Sequence, residues 1–148
     1  MAFIENKKAR FDFEILETFE AGAVLAGHEA KAVRAGRGSL DGARVAVRGG
    51  EAFLMGASVA PYQPNNTPKG YDRERARKLL MNRKEIATLA DAEGKKGLTI
   101  IPLRWYNRNG KVKLEVAVVR RKKKHDKRAA LKERDIRRDI ERTLKNEY

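Results

Sequence analysis

The sequence has no cysteine. That excludes disulfides, thiolate nucleophiles and cysteine-ligated metal. Its two histidines, His28 and His125, are far apart in the chain, and no cluster has metal-ligand spacing. No apolar run approaches the roughly 20 residues of a membrane span. The opening Met1-Ala2-Phe3-Ile4-Glu5 lacks the long apolar region of an export signal. A cytoplasmic protein with no membrane contact is expected, and Asn65-Asn66-Thr67 then has no meaning as a glycosylation site. No phosphate-cradling glycine loop, nucleophile elbow or convergent acid–base group is present. The expectation is a binding protein without a cofactor, not an enzyme.

Negative charge is also in short supply. The 148 residues carry 34 Lys and Arg against 20 Asp and Glu, a net charge of +14. A surplus of that size repels itself unless something neutralises it, and a polyphosphate backbone does so most readily. Nucleic acid is therefore the expected partner class. Residues 1–119 hold 21 basic and 14 acidic residues, while residues 120–148 hold 13 basic and 6 acidic. Half of the net charge thus sits in the last 29 residues. Two regions are expected: a compact domain over 1–119, and a basic tail over 120–148 that opens with Arg120-Arg121-Lys122-Lys123-Lys124. Beyond that run the chain is helix-friendly, with Ile136, Ile140 and Leu144 at i, i+4 and i+8. That stripe is too narrow to hold a helix firmly on a core. Three readings stay open: a solvated helix, a helix lying on the domain, and a segment that orders on a phosphate-rich partner. Like charges favour the last.

In the compact part, Phe11, Phe13 and Ile15 alternate with acids as in a half-buried strand, and Ala23-Val24-Leu25 reads as a second strand. Glu29 to Ala35 suits a short helix ended by Gly36. Arg44 to Arg48 and Glu51 to Met55 flank Gly49-Gly50, a hairpin signature. Residues 58–72, with Pro61, Pro64 and Pro68, read as a long loop. A helix is expected over Arg73 to Ala92, with Leu79, Leu80, Ile86 and Leu89 on its apolar side. Strands Leu98 to Tyr106 and Val112 to Val119 flank Asn109-Gly110, and Pro102 marks an edge or a bulge. About six strands with inserted helices suggest a mainly β, closed or partly closed small barrel, of which the OB-like barrel is one form.

Glu29 is ordinarily the acid of a helix first turn; the alternative is an acceptor for a base edge or a ribose hydroxyl. The cations Arg73, Arg75, Arg77, Lys78, Arg83 and Lys84 suit either a solvated face or phosphate contacts. Tyr62, Tyr71 and Tyr106 could stack on bases, whereas Trp105 reads as core. His125, in a fully charged stretch, reads as a base or phosphate contact.

Several separate motifs, in order along the chain, resemble the bacterial SsrA-binding (small protein B) family. They include Asn6-Lys7-Lys8-Ala9-Arg10, Glu17 with Ala21-Gly22, Gly27-His28-Glu29-Ala30-Lys31 with Arg34-Ala35-Gly36, and Arg75-Ala76-Arg77-Lys78-Leu79-Leu80. Gly97-Leu98-Thr99, Pro102-Leu103, Asn109 to Lys113 and Lys122-Lys123-Lys124-His125-Asp126-Lys127-Arg128 continue the series. Three positions depart from the family pattern: Arg121 where a Gly is usual, Tyr71-Asp72-Arg73 where His-Asp-Pro is usual, and Asn82 where His is commoner.

The resemblance implies an OB-type barrel. It implies a monomer that binds the tRNA-like domain of transfer-messenger RNA and acts in trans-translation, with elongation factor Tu and alanyl-tRNA synthetase as indirect partners. By position, Asn6, Lys7, Lys8, Arg10, Glu29, Lys31, Arg34, Arg75, Arg77, Lys78, Leu79 and Leu80 match its RNA-binding side. Lys122, Lys123, Lys124, His125, Asp126, Lys127, Arg128 and Ile136 match its contacts with the small ribosomal subunit and its rRNA near the decoding centre. The rival readings are another RNA-binding module, such as a ribosomal protein or RNA chaperone, and a basic RNA-processing enzyme.

Overall fold

The computed structural model describes residues 2–63, 65 and 67–122. The chain runs β1 (Ala2–Glu5), α1 (Ala9–Asp12), β2 (Phe13–Ala23), α2 (Gly27–Arg34), β3 (Gly38–Ser39), β4 (Arg44–Arg48), β5 (Glu51–Met55), β6 (Ser58–Val59), β7 (Arg77–Leu80), α3 (Arg83–Glu93), β8 (Leu98–Arg108) and β9 (Lys111–Arg121). Seven strands form one sheet in the order β1-β8-β9-β2-β7-β5-β4, and β3 pairs with β6 apart from it. Every pairing is antiparallel. The sheet curls until β4 lies against β8, and α3 covers that seam. This is the mainly β, partly closed barrel that the alternating pattern implied.

Two register shifts decide which residues fill the barrel. Side chains alternate faces along a strand, so one extra residue moves all later ones to the other face. In β8 the shift lies between Pro102 and Arg104. Ile101 before it and Leu103 within it pack with Ala9, Ala117 and Val119 in a small outer cluster, whereas Trp105 after it, of the same parity, is in the main core. In β2 the shift lies between Ile15 and Glu17, and it separates Phe13 and Ile15 in the outer cluster from Phe19 and Ala21 in the core. Strand β9 has no shift and serves both cores, with Leu114, Val116 and Val118 on one face and Ala117 and Val119 on the other. Pro102 thus sits beside a bulge in an interior strand and not at an edge.

Five sequence expectations change. Phe11 belongs to α1, and Ala23 closes the long strand β2 instead of opening a new one. Among the described residues, nine strands replace about six, two of them only two residues long. The helix expected over 73–92 is confined to Arg83–Glu93. Arg77–Leu80 is a strand because both neighbours need it: Leu79 pairs with Ala23 on one side and Ala52 on the other, and is buried there. Asn82 then starts α3, its Oδ1 accepting from the Glu85 amide at 2.8 Å while Glu85 Oε1 accepts from the Asn82 amide at 3.3 Å, a capping box. Strand β9 runs on to Arg121, and the Lys122 amide donates to the Asp12 carbonyl at 3.0 Å. The compact part therefore extends past residue 119.

Candidate nucleic-acid interface

Strand β2 hands over to α2 through Val24-Leu25-Ala26, and Glu29 falls in the first turn of α2. Its side chain reaches back, so that Oε1 accepts from the Ala26 amide at 2.8 Å. The local sequence alone accounts for that bond. The rest comes from distant chain. Arg75 grips both carboxylate oxygens, Nε on Oε2 at 3.0 Å and Nη2 on Oε1. Arg77 adds Nε and Nη2 on Oε2 at 3.0 and 2.7 Å. The Tyr71 hydroxyl accepts from Arg77 Nη2 at 3.0 Å and has two acceptors in reach, Glu29 Oε2 at 3.1 Å and the Val59 carbonyl at 2.9 Å. The His28 ring stands edge-on against Tyr71, centroids 4.8 Å apart.

Glu29 and Arg77 have no exposed surface. Burial by itself would raise the Glu29 pKa, but hydrogen bonds from Arg75, the Ala26 amide and Arg77 outweigh it and hold the carboxyl at about 2. The Arg77 donors are all directed inward: Nη1 to the carbonyls of Ala57 and Arg75, Nη2 also to that of Arg73. A guanidinium has five N–H groups, so none of them is left for a phosphate. Glu29 and Arg77, expected among the RNA contacts, therefore lie beneath the surface and not on it. Leu79 is likewise core.

Above this network lies an open, mixed surface. Leu80 is 54% and Val24 48% exposed. The Val24 amide donates to the Lys78 carbonyl at 2.9 Å, extending the β2–β7 ladder. Gly22 lies beneath Leu80 and Lys113; a Cβ there would sit 3.3 Å from Leu80 Cβ and 3.6 Å from Lys113 Nζ. Lys31 and Arg34 are exposed on α2, and Arg34 Nη2 donates to the Gly110 carbonyl at 2.8 Å, joining the helix to the β8–β9 turn. Lys78 pairs with Glu51 at 2.9 Å, both about half exposed, a contact that solvent screens. Cations beside apolar side chains suit a folded RNA, with phosphates on the one and sugar or base faces on the other.

The remaining candidates gather at the far end of β2, about 30 Å of strand away. Lys7, Lys8 and Arg10 are exposed in and before α1. Lys122 Nζ donates to the Arg10 carbonyl at 3.0 Å, so the end of β9 is tied to this group. A cavity of about 290 Å³ opens there, lined by Lys8, Phe13, Asp41, Arg44 and Arg121 among others. Asn6 lines this cavity but exposes only 9% of its surface. It is buried, with Nδ2 donating to the carbonyls of Pro102 at 2.9 Å and Leu40 at 3.4 Å. Lys123, Lys124, His125, Asp126, Lys127, Arg128 and Ile136 lie outside the described residues.

The aromatic candidates divide. Trp105 is fully buried. Tyr62 lies under Arg37 at 5.5 Å and Tyr106 under Arg104 at 4.4 Å. The Tyr106 hydroxyl also donates to Glu20, which Arg108 grips at 2.8 Å. Burial, followed by the bond to Glu20, pushes the Tyr106 phenol up to about 12. Sequence reasoning missed the Glu20 group and the role of Tyr71. Glu20 alternates in register with Thr18 and Gly22, and nothing local marks it.

Residues 3–146 match the family model described as SmpB protein. The chain is 49% identical over 143 residues to the SsrA-binding protein of Rubrobacter xylanophilus, covering 97% of this chain and 95% of that one. It is 45% identical over 141 residues to the SsrA-binding protein of Thermosynechococcus vestitus, covering 95% and 93%. It also superimposes on a solved chain described as "tmRNA-SmpB: a journey to the center of the bacterial ribosome", with a TM-score of 0.68, 39% identity, and 82% and 85% of the two chains covered. Barrel, ordered motifs and near full-length relatives agree, and the chain belongs to the SmpB protein family.

Proposed function

We propose that this protein binds the tRNA-like domain of transfer-messenger RNA and delivers it to stalled ribosomes, with the segment after Lys122 entering the empty message channel near the decoding centre. The observation that carries the reading is the near full-length match to SsrA-binding proteins together with the fold match to a tmRNA–SmpB chain. The geometry supports a division of labour. Lys31, Arg34, Arg75, Lys78 and Leu80 surround the surface above Glu29, while Lys7, Lys8, Arg10 and Lys122 stand at the root of the basic tail. A folded RNA at one end of β2 leaves the other free for the small subunit and its rRNA. Binding is to phosphate and shape, with no catalytic step, in a cytoplasmic monomer; alanyl-tRNA synthetase and elongation factor Tu act on the bound RNA. Sequencing of RNA crosslinked to the protein in cells tests this. Transfer-messenger RNA and small-subunit rRNA should dominate; an even spread over structured RNAs would instead mark a general RNA chaperone.

A further inference from the structure

We infer that Glu29 is a positioning residue for RNA recognition: it fixes the Arg75 guanidinium at the surface in one orientation, while Arg77 anchors the same carboxylate from beneath. The inference rests on the proposed function and names how that site is set before RNA arrives. Arg75 is the member of the trio that reaches solvent, its side chain 36% exposed against none for Glu29 and Arg77. Its Nε and Nη2 hold Glu29, Nη2 also reaches the Val24 carbonyl at 3.2 Å, and Nη1 reaches the Ala76 carbonyl at 3.3 Å. With five N–H groups, that leaves one Nη1 hydrogen and the outer guanidinium face for a ligand. Two cations on one anion leave one positive charge, and the burial pattern puts it on Arg75, facing out.

A free surface arginine loses side-chain freedom when it binds phosphate; one already clamped loses less, which favours binding. The clamp also spans four segments: the β2–α2 turn through Ala26 and Val24, α2 through Glu29, β6 through Val59, and the approach to β7 through Tyr71 and Arg73. All four border the proposed RNA face. Tyr71, one of the departures from the family pattern, is built into it. An amide at position 29 would turn donors toward two guanidiniums, and Arg75, no longer held, would swing into solvent.

The test titrates a transcript of the tRNA-like domain with the full-length protein at several salt concentrations, below each variant's melting temperature. Glu29→Gln and Arg75→Ala should each weaken binding about tenfold and flatten the slope of log affinity against log salt by about one phosphate contact. The double variant should be no weaker than either single, because both remove one coupled unit. Arg75→Lys keeps the charge but not the fork and should fall nearly as far as Arg75→Ala. Because it leaves the Glu29–Arg77 pair intact, it decides the matter if Glu29→Gln does not fold. Wild-type affinity and salt slope in Glu29→Gln, multiplying losses in the double variant, or full affinity in Arg75→Lys would each overturn the inference. A folded wild-type protein that ignores the transcript would overturn the proposed function instead.

Discussion

A carboxylate removed from water costs several kcal/mol unless its charge is matched and its lone pairs filled. Glu29 meets that condition with two guanidiniums, a phenol and an amide. The consequence is a specific pH dependence. Its pKa is about 2 in the fold against 4.5 unperturbed. The stabilisation is therefore present above about pH 4.5 and is lost as pH falls from there through about 2. Urea unfolding of wild type and Glu29→Gln across that window should show a stability gap that narrows steadily toward acid; a gap constant down to pH 2 would mean the carboxylate is not held ionised. Asn6 carries a similar lesson. It fits the RNA-binding pattern by position, yet its amide bonds two carbonyls, 34 and 96 residues away. The motifs marked these residues as important. They did not distinguish a residue that touches a ligand from one that shapes the surface, because the side-chain partners of Glu29 are 42 to 48 residues distant.

Elements whose cause is local were legible. Gly49-Gly50 and Asn109-Gly110 form the two expected tight hairpins, all four residues with positive φ, because only such residues turn with the twist of the strands. The start of α2 follows from Glu29 reaching back to Ala26. Elements decided by neighbours were not. Arg77–Leu80 has helix-compatible residues and continues into a true helix, but the slot between β2 and β5 makes it a strand. The two-residue strands β3 and β6 show the same dependence. A Cβ on Gly38 would come within 2.4 Å of the Ser58 carbonyl oxygen, with Ile4 Cδ1 at 3.3 Å. Backbone cannot yield as a flexible side chain does, so Gly38→Ala should cost about 1–3 kcal/mol. The urea midpoint should fall with the m-value unchanged; a midpoint equal to wild type would show that the β3–β6 pair is loose.

At the scale of the whole molecule, charge is apportioned between two ends of one strand. The root of the tail belongs to the barrel: Arg120 and Arg121 pair with Glu14 and Phe13 in β2, and Lys122 bonds the carbonyls of Asp12 and Arg10. The barrel therefore runs at least to Lys122, past Val119. A chain ending at Lys122 should keep its melting temperature and bind the tRNA-like transcript within about twofold of wild type, yet fail to support tagging on stalled ribosomes. A chain ending at Val119 should also melt lower, having lost the last rungs of β9. Equal loss of RNA affinity on cutting after Lys122 would refute the division between grip and probe. Composition and pattern by themselves pointed to a basic, cysteine-free, mainly β chain suited to nucleic acid, since charge, alternation and turn residues act over a few positions. Only the tertiary structure decided which of those charges lie at the surface. Strand pairing and burial join residues scores of positions apart, and they placed Arg75 and Lys31 at the surface while sealing Glu29 and Arg77 beneath it.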